Sequence, residues 1–181
     1  VVVRQIDVPD VPDEELPDLV RLQAETKISA SLDSLVLDFL PLPRVEGDAS
    51  RAVLIFTFDR EKLDVLNEVV EAAGLELEQL GVSSVATAEL VARTERDRNL
   101  APDDTTLTVA RDGKRIEISL MRSRHLLFTH STQLTGSDDQ QDSRLASAEI
   151  RRALGAHSQS NAGSAVARAW VVGSEHEQQT L

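Results

Sequence analysis

The chain has 181 residues, 41% of them apolar but only 3% aromatic, so its core is aliphatic and fills one large domain or two small ones. A net charge of −12 disfavours nucleic acid and anionic membrane surfaces as partners, and the lack of cysteine excludes disulfides and thiolate metal sites. No apolar run approaches the roughly 20 residues of a spanning helix, and no signal peptide is visible.

Residues 1–8 are rich in β-branched side chains and read as a strand. No leader precedes them, so the sequence reads as starting inside a longer protein. Pro9 and Pro12 end the strand. Asp13 stands where a helix N-cap belongs, with Glu14 and Glu15 in the positive first turn and Pro17 close enough to the start to be tolerated. Leu16, Leu19, Val20 and Ala24 make the helical stripe, which ends near Ile28.

Residues 34–42 form a second strand with Leu35, Leu37 and Phe39 on one face, ended by Pro41 and Pro43. Residues 52–58 are nearly all apolar, the pattern of a strand that is central or covered on both faces. Asp59 can cap the next helix, whose expected buried stripe is Leu63, Leu66, Val70 and Ala73, with Gly74 at the C′ position. Leu75, Leu77 and Leu80 suggest another strand, and Ser83 or Ser84 opens a helix that runs to about Arg93.

Residues 94–104 are charged, polar and proline-bearing, and make the best internal break. Strands follow at 106–110, 115–121 and 125–133, the first two meeting at Arg111-Asp112-Gly113-Lys114. A polar loop spans 136–143. Asp142 or Ser143 can cap a helix with Ala146, Ile150, Ala153 and Leu154 on one face. A second loop covers 158–164, a last strand 166–172, and the polar tail carries no signal. The order β-α-β-β-α-β-α, then β-β-β-α-β, is a mixed α/β protein.

Few residues point to chemistry. His125, His130, His157 and His176 show no metal-ligand spacing and read as surface or edge histidines. No Walker loop, dinucleotide fingerprint or nucleophile elbow occurs. The acid pairs Asp103-Asp104 and Asp138-Asp139 read as loop residues rather than a divalent-metal site. Arg122, Arg124, Arg151 and Arg152 are able to hold an anion, but partnership with the surplus acids is the simpler reading.

Two stretches carry a family likeness. The first is "IDVPDVPDEELPDLVRLQAETKISASLDSLVLDFLPL" followed by "AVLIFTFDREKLDVLNEVVEAAGLELEQLGVSSVATAEL"; the second is the 102–130 hairpin region with "SAEIRRALGAH" and "VARAWVVGS". In order and spacing they resemble PilM, the actin-like family of type IV pilus assembly, with relatives in cell division (FtsA) and type II secretion (GspL). Pro12, Glu15, Leu16, Ile28, Leu37, Asp38, Phe39, Gly74 and Leu75 match in sequence. The resemblance implies a strand-helix-strand-strand insertion module at 1–82. A linker helix and part of a ribonuclease H-like actin subdomain would then occupy 83–181.

It also implies a cytoplasmic scaffold, not an enzyme. Such a scaffold sits peripheral to the inner membrane, binds the cytoplasmic tail of a single-span membrane protein and relays it to a motor ATPase. Glu14, Glu15 and Asp18, beside the proline-ended strand at 34–42, are the expected partner-binding residues. Of the family's nucleotide site, the first phosphate loop is absent. The second, expected ahead of Thr108, keeps Asp104 but no glycine, and the adenosine loop is Gly173-Ser174 instead of Gly-Gly. Asp104, Gly173 and Ser174 are therefore the remnants of a degenerate cofactor site, with no cofactor and no catalytic or metal residue expected. The alternatives are an ATP-binding ATPase completed by residues upstream, and a ribonuclease H-like nuclease.

Overall fold

The computed structural model describes residues 1–28, 31–44, 49–123, 125–160 and 165–179. They form two compact units, Val1–Val82 and Ser83–Leu181.

The first unit contains β1 (Val2–Pro9), α1 (Leu16–Lys27), a 3-10 turn (Leu32–Ser34), β2 (Leu35–Pro41), β3 (Ser50–Asp59) and α2 (Arg60–Ala72). Its sheet has the order β1-β3-β2, antiparallel throughout. The apolar run of β3 makes it the central strand, and Val53, Leu54, Ile55 and Phe56 are all buried. Alternation sends Ile6, Val8, Val53 and Ile55 to one face, where Leu16, Val20 and Ala24 of α1 close the core.

Three local expectations fail here, and two hold. Asp13 does not cap α1. Its carboxylate takes Arg51 at 2.6 Å and Arg44 at 3.3 Å, and Glu15 holds the N-cap position without a side-chain bond. Asp59 does cap α2, accepting the Glu61 amide at 3.0 Å. At its other end Gly74, at φ 72°, lets the Gly74 and Leu75 amides reach back to Glu71 and Val70 in a Schellman motif. The α2 stripe, however, is not buried: no residue of α2 is. The leucines of 75–82 do not form a strand either; that segment has no regular structure, and Leu75 and Leu80 stay exposed without a strand to pair with.

The second unit contains α3 (Ser83–Asp97), β4 (Thr105–Asp112), β5 (Arg115–Arg122), β6 (His125–Gln133), α4 (Asp139–Ser160), β7 (Val166–Val172) and α5 (Glu175–Gln179). Its sheet has the order β6-β5-β4-β7; the first three strands form an antiparallel meander, and β7 returns parallel to β4. Leu107, Val109, Ile116, Ile118 and Leu120 pack against Ala146 and Ala153 of α4. The opposite face is buried yet polar, and α3 supplies its partners. Thr106 donates to Glu95, Ser83 donates to Glu117, and Ser119 and Thr129 bond to each other.

Glu95 explains why α3 outruns its expected end. It is 3% exposed, and its Oε1 accepts from Thr106 (2.8 Å), Arg168 (3.1 Å) and Trp170 (3.1 Å). Arg168 also pairs with Asp104 at 2.6 Å and donates to the Ala101 carbonyl. The stretch 94–104, read as a break, is thus stitched into the second unit, and the two units part between Val82 and Ser83. Helix α4 is capped by Asp138, which accepts the Gln141 amide at 2.8 Å, rather than by Asp142 or Ser143. No helix among the described residues is long and apolar enough to cross a membrane.

Candidate functional site

Two places among the described residues are candidates for a site. One is a groove of about 440 Å³ in the first unit, between α1 and β2, lined among others by Asp18, Arg21, Asp33, Val36, Asp38 and Arg60. Of the expected partner-binding residues, Asp18 lies in this lining. Glu14 and Glu15 are exposed just ahead of α1 and do not line it.

β2 is an edge strand, as its prolines suggested. The Leu42 amide bonds to the Ala52 carbonyl, so even-numbered residues point their backbone groups at β3 and odd-numbered ones point outward. Three devices cover part of that outward row. Leu35 is tied at both groups, its amide to Leu32 and its carbonyl to Arg60 at 3.0 Å. The Phe39 amide donates to the Asp38 carboxylate at 2.8 Å, and Pro41 has no N–H. Among the described residues, what stays open in the row is the Leu37 amide and carbonyl and the Phe39 and Pro41 carbonyls.

The second place is the carboxyl ends of β4 and β7. The two strands are parallel, with Ala110 opposite Val172, so the Asp112–Lys114 turn and Gly173-Ser174 lie side by side. Open α/β sheets take ligands at this end of their strands. Asp104 precedes β4 at the opposite end, about 25 Å away for an eight-residue strand. The structure therefore does not bring Asp104 together with Gly173 and Ser174; Asp104 serves Arg168 instead. The glycine missing ahead of Thr108 has a counterpart at the right end: Gly113, at φ 58° in the turn. A Cβ on Gly173 would press on the Arg111 carbonyl at 3.0 Å and Glu177 Oε2 at 3.2 Å, so a side chain there requires both to yield by a few tenths of an ångström.

Glu177 fills the space between them. Its Oε1 accepts the Gly113 amide at 2.5 Å and its Oε2 the Ser174 amide at 2.8 Å. The Glu177 amide reaches the Ser174 hydroxyl at 3.4 Å, which makes Ser174 and Glu177 a reciprocal capping pair for α5. The Ser174 amide, then its hydroxyl and the Gly113 amide, hold the Glu177 pKa below the usual carboxylate range. Below the turn, Asp142 is fully buried, and Oδ2 takes Lys114 (2.7 Å) and Arg111 (3.2 Å) while Oδ1 takes the Gly136 amide (2.9 Å). The Lys114 bond lowers the Asp142 pKa against the opposing effect of burial. Sequence reading passed over both acids. The Ser-x-x-Glu spacing at 174–177 was the available sign for Glu177; nothing local marked Asp142 as more than a helix cap.

The remaining candidates are dispersed. Arg122 donates to the Asp103 carbonyl, Arg152 pairs with Glu149 at 2.6 Å, and His130 stands 3.4 Å from Glu149. Arg124 lies outside the described residues, as do the side chains of His157 and His176.

No family model and no curated protein matches the chain. Solved structures do. The PilM–PilN type IV pilus biogenesis complex matches at 24% identity and TM-score 0.63, over 88% of this chain and 52% of that one. The cytoplasmic domain of EpsL, an inner-membrane component of the Vibrio cholerae type II secretion system, matches at 14% identity and TM-score 0.51, over 96% and 61%. A Bacteroides thetaiotaomicron protein with an actin-like ATPase fold and unknown function matches at 13% identity and TM-score 0.48, over 98% and 59%. The chain spans about half the length of the pilus protein it matches. The meander, crossing helix and parallel fourth strand of the second unit suit the arrangement the resemblance implied, and the chain has an α/β fold similar to those of the PilM–PilN complex and the EpsL cytoplasmic domain.

Proposed function

We propose that the chain is part of a cytoplasmic scaffold in a type IV pilus, secretion or competence machine, and that it holds the tail of a single-span inner-membrane protein. The observation that carries this reading is the partly open edge of β2 above the α1 groove. A tail laid along β2 gains the Leu37 amide and carbonyl and the Phe39 carbonyl as main-chain partners, the mode of strand addition. Asp18, Asp33 and Asp38 outnumber Arg21 and Arg60 in the lining. The groove therefore favours a basic, apolar tail, and Glu14 and Glu15 add to the field that steers it in. The neighbours support the same class of partner: one is a complex of PilM with PilN, the other an inner-membrane component of a secretion system. Relay to a motor ATPase belongs to this reading and falls to another surface.

The scaffold does no nucleotide chemistry in this reading. The amides that converge at the strand ends, a favourable seat for an anion, already hold the carboxylate of Glu177. The same two amides are what favours the rival reading, a nucleotide-binding protein in which a phosphate displaces Glu177.

Titration of the 181-residue chain with fluorescent cytoplasmic-tail peptides of pilus and secretion membrane proteins tests the scaffold. Asp18→Lys with Asp33→Lys should weaken binding about tenfold, as loss of close charge pairs does. Glu14→Lys with Glu15→Lys should weaken it about twofold, an effect that fades in salt. Binding untouched by both double changes would remove the groove from the reading.

A further inference from the structure

Helix α2 carries two apolar stripes. Leu63 and Val70, with Asn67, turn inward and are half-buried. Val65, Leu66 and Val69 form the second stripe on the outer side, 57%, 38% and 63% exposed, and Leu75, held against the helix end by its bond to Val70, extends it at 66%. At 3.6 residues per turn Ala72 joins that stripe, while Glu61, Asp64, Glu68 and Glu71 fall together along one flank. One cation, Lys62, lies in the first turn of the stripe.

Helices that spend an apolar face on solvent mark a surface made for something else. The acidic flank decides what. A lipid surface is excluded by charge, since helices that lie on membranes carry lysine and arginine beside their apolar face. A second copy is disfavoured twice over: each copy carries a net charge of −12, and an antiparallel pairing of the stripes would set acidic flank against acidic flank. We infer that the outer stripe of α2 is a docking surface for a cationic amphipathic helix of another protein. This site is separate from the β2 groove, which takes an extended segment, and neither depends on the other. The partner helix lays an aliphatic face over Val65, Val69 and Leu75 and places its lysines or arginines opposite Glu68 and Glu71. The match is about three turns long, the length of α2.

The test is an anisotropy titration of the 181-residue chain with a fluorescent leucine–lysine peptide of about 14 residues, leucines at i, i+3, i+4 and i+7. The control has the same composition in a scrambled order without a stripe. Val65→Asp with Val69→Asp separates docking from charge attraction. The change adds two acids, so general attraction predicts tighter binding of the cationic peptide, whereas docking predicts at least a tenfold loss. Glu68→Lys with Glu71→Lys should also weaken binding several-fold, and Asp18→Lys with Asp33→Lys should weaken it no more than about twofold, through the general field alone. Circular dichroism and thermal melts establish that each variant is folded. The inference is overturned if the scrambled peptide binds equally well, if the valine variant binds as tightly or more tightly, or if the striped peptide shows no binding at 1 mM. It is also overturned if sedimentation reveals a homodimer that the valine change dissociates.

Discussion

Glu177 rests one carboxylate oxygen on the Gly113 amide, 64 residues earlier in the chain, and the other on the Ser174 amide. A charged ligand at the strand ends has to displace it. Calorimetry with Mg-ATP should therefore give no affinity tighter than the millimolar range, and a low-micromolar constant would defeat the non-nucleotide reading. Glu177→Ala leaves both amides open. Inorganic phosphate at about 10 mM should then raise the melting temperature of the variant and not that of the parent, because only the variant offers free donors to an anion.

Glu95 sets part of the acid sensitivity of the second unit. Burial pushes its pKa up, and the bonds from Thr106, Trp170 and Arg168 outweigh that and hold it below the ordinary value. A depressed folded pKa contributes stability above the unfolded pKa, about 4.3 for glutamate, and loses it as pH falls through the folded value. Glu95→Gln should cost about 1–2 kcal/mol at pH 7, since it removes one of the two carboxylates on half-buried Arg168 and leaves Asp104, at 2.6 Å, as its remaining charge partner. Between about pH 5 and pH 3 the variant should lose less stability than the parent. Urea titrations at the two ends of that range decide it; equal losses would remove Glu95 from the account.

Two glycines in neighbouring elements should respond with opposite signs. A Cβ on Gly136 would collide with the Asp142 carboxylate and backbone, so Gly136→Ala should destabilise by about 2 kcal/mol or more. A Cβ on Gly155, inside α4, meets nothing within 4 Å, so Gly155→Ala should stabilise by about 0.5–1 kcal/mol. Thermal melts of the two variants suffice, and a stabilised Gly136→Ala would mean that the Asp142 hub is looser than its distances imply.

Limited proteolysis distinguishes the two places where the chain can part. Residues 75–82 have no regular structure and expose Leu75 and Leu80. Residues 94–104 are held by Glu95, Asp104 and the Ala101 carbonyl through Arg168. First cuts should fall in 75–82, as mass spectrometry of the early fragments would show. First cuts in 94–104 would contradict the Arg168 anchorage.

What could be read ahead of the structure was periodic or local. The aliphatic run of β3 announced a central strand, the Asp59 cap and the Gly74 terminus of α2 follow from chemistry at single positions, and the meander with its crossing helix follows from element order. What could not be read depends on residues far apart in the chain. Charge and proline at 94–104 looked like a linker because the anchoring Arg168 lies some 70 positions later. Asp13 and Asp142 had the local look of helix caps, and long-range cations claimed both. The leucines of 75–82 had the alternation of a strand, but the segment pairs with neither edge of the first unit's sheet.

The parallel pairing of β4 with β7 orders events during synthesis. The β4–β5–β6 meander joins neighbours in sequence and can form as soon as those residues leave the ribosome. β7 pairs with β4 across some 60 intervening residues, so the fourth strand, and the polar face around Thr106, Thr108 and Trp170, must wait for α4 to be made first. Until then β4 presents a bare edge, and that interval is when the nascent chain is most exposed to misassociation.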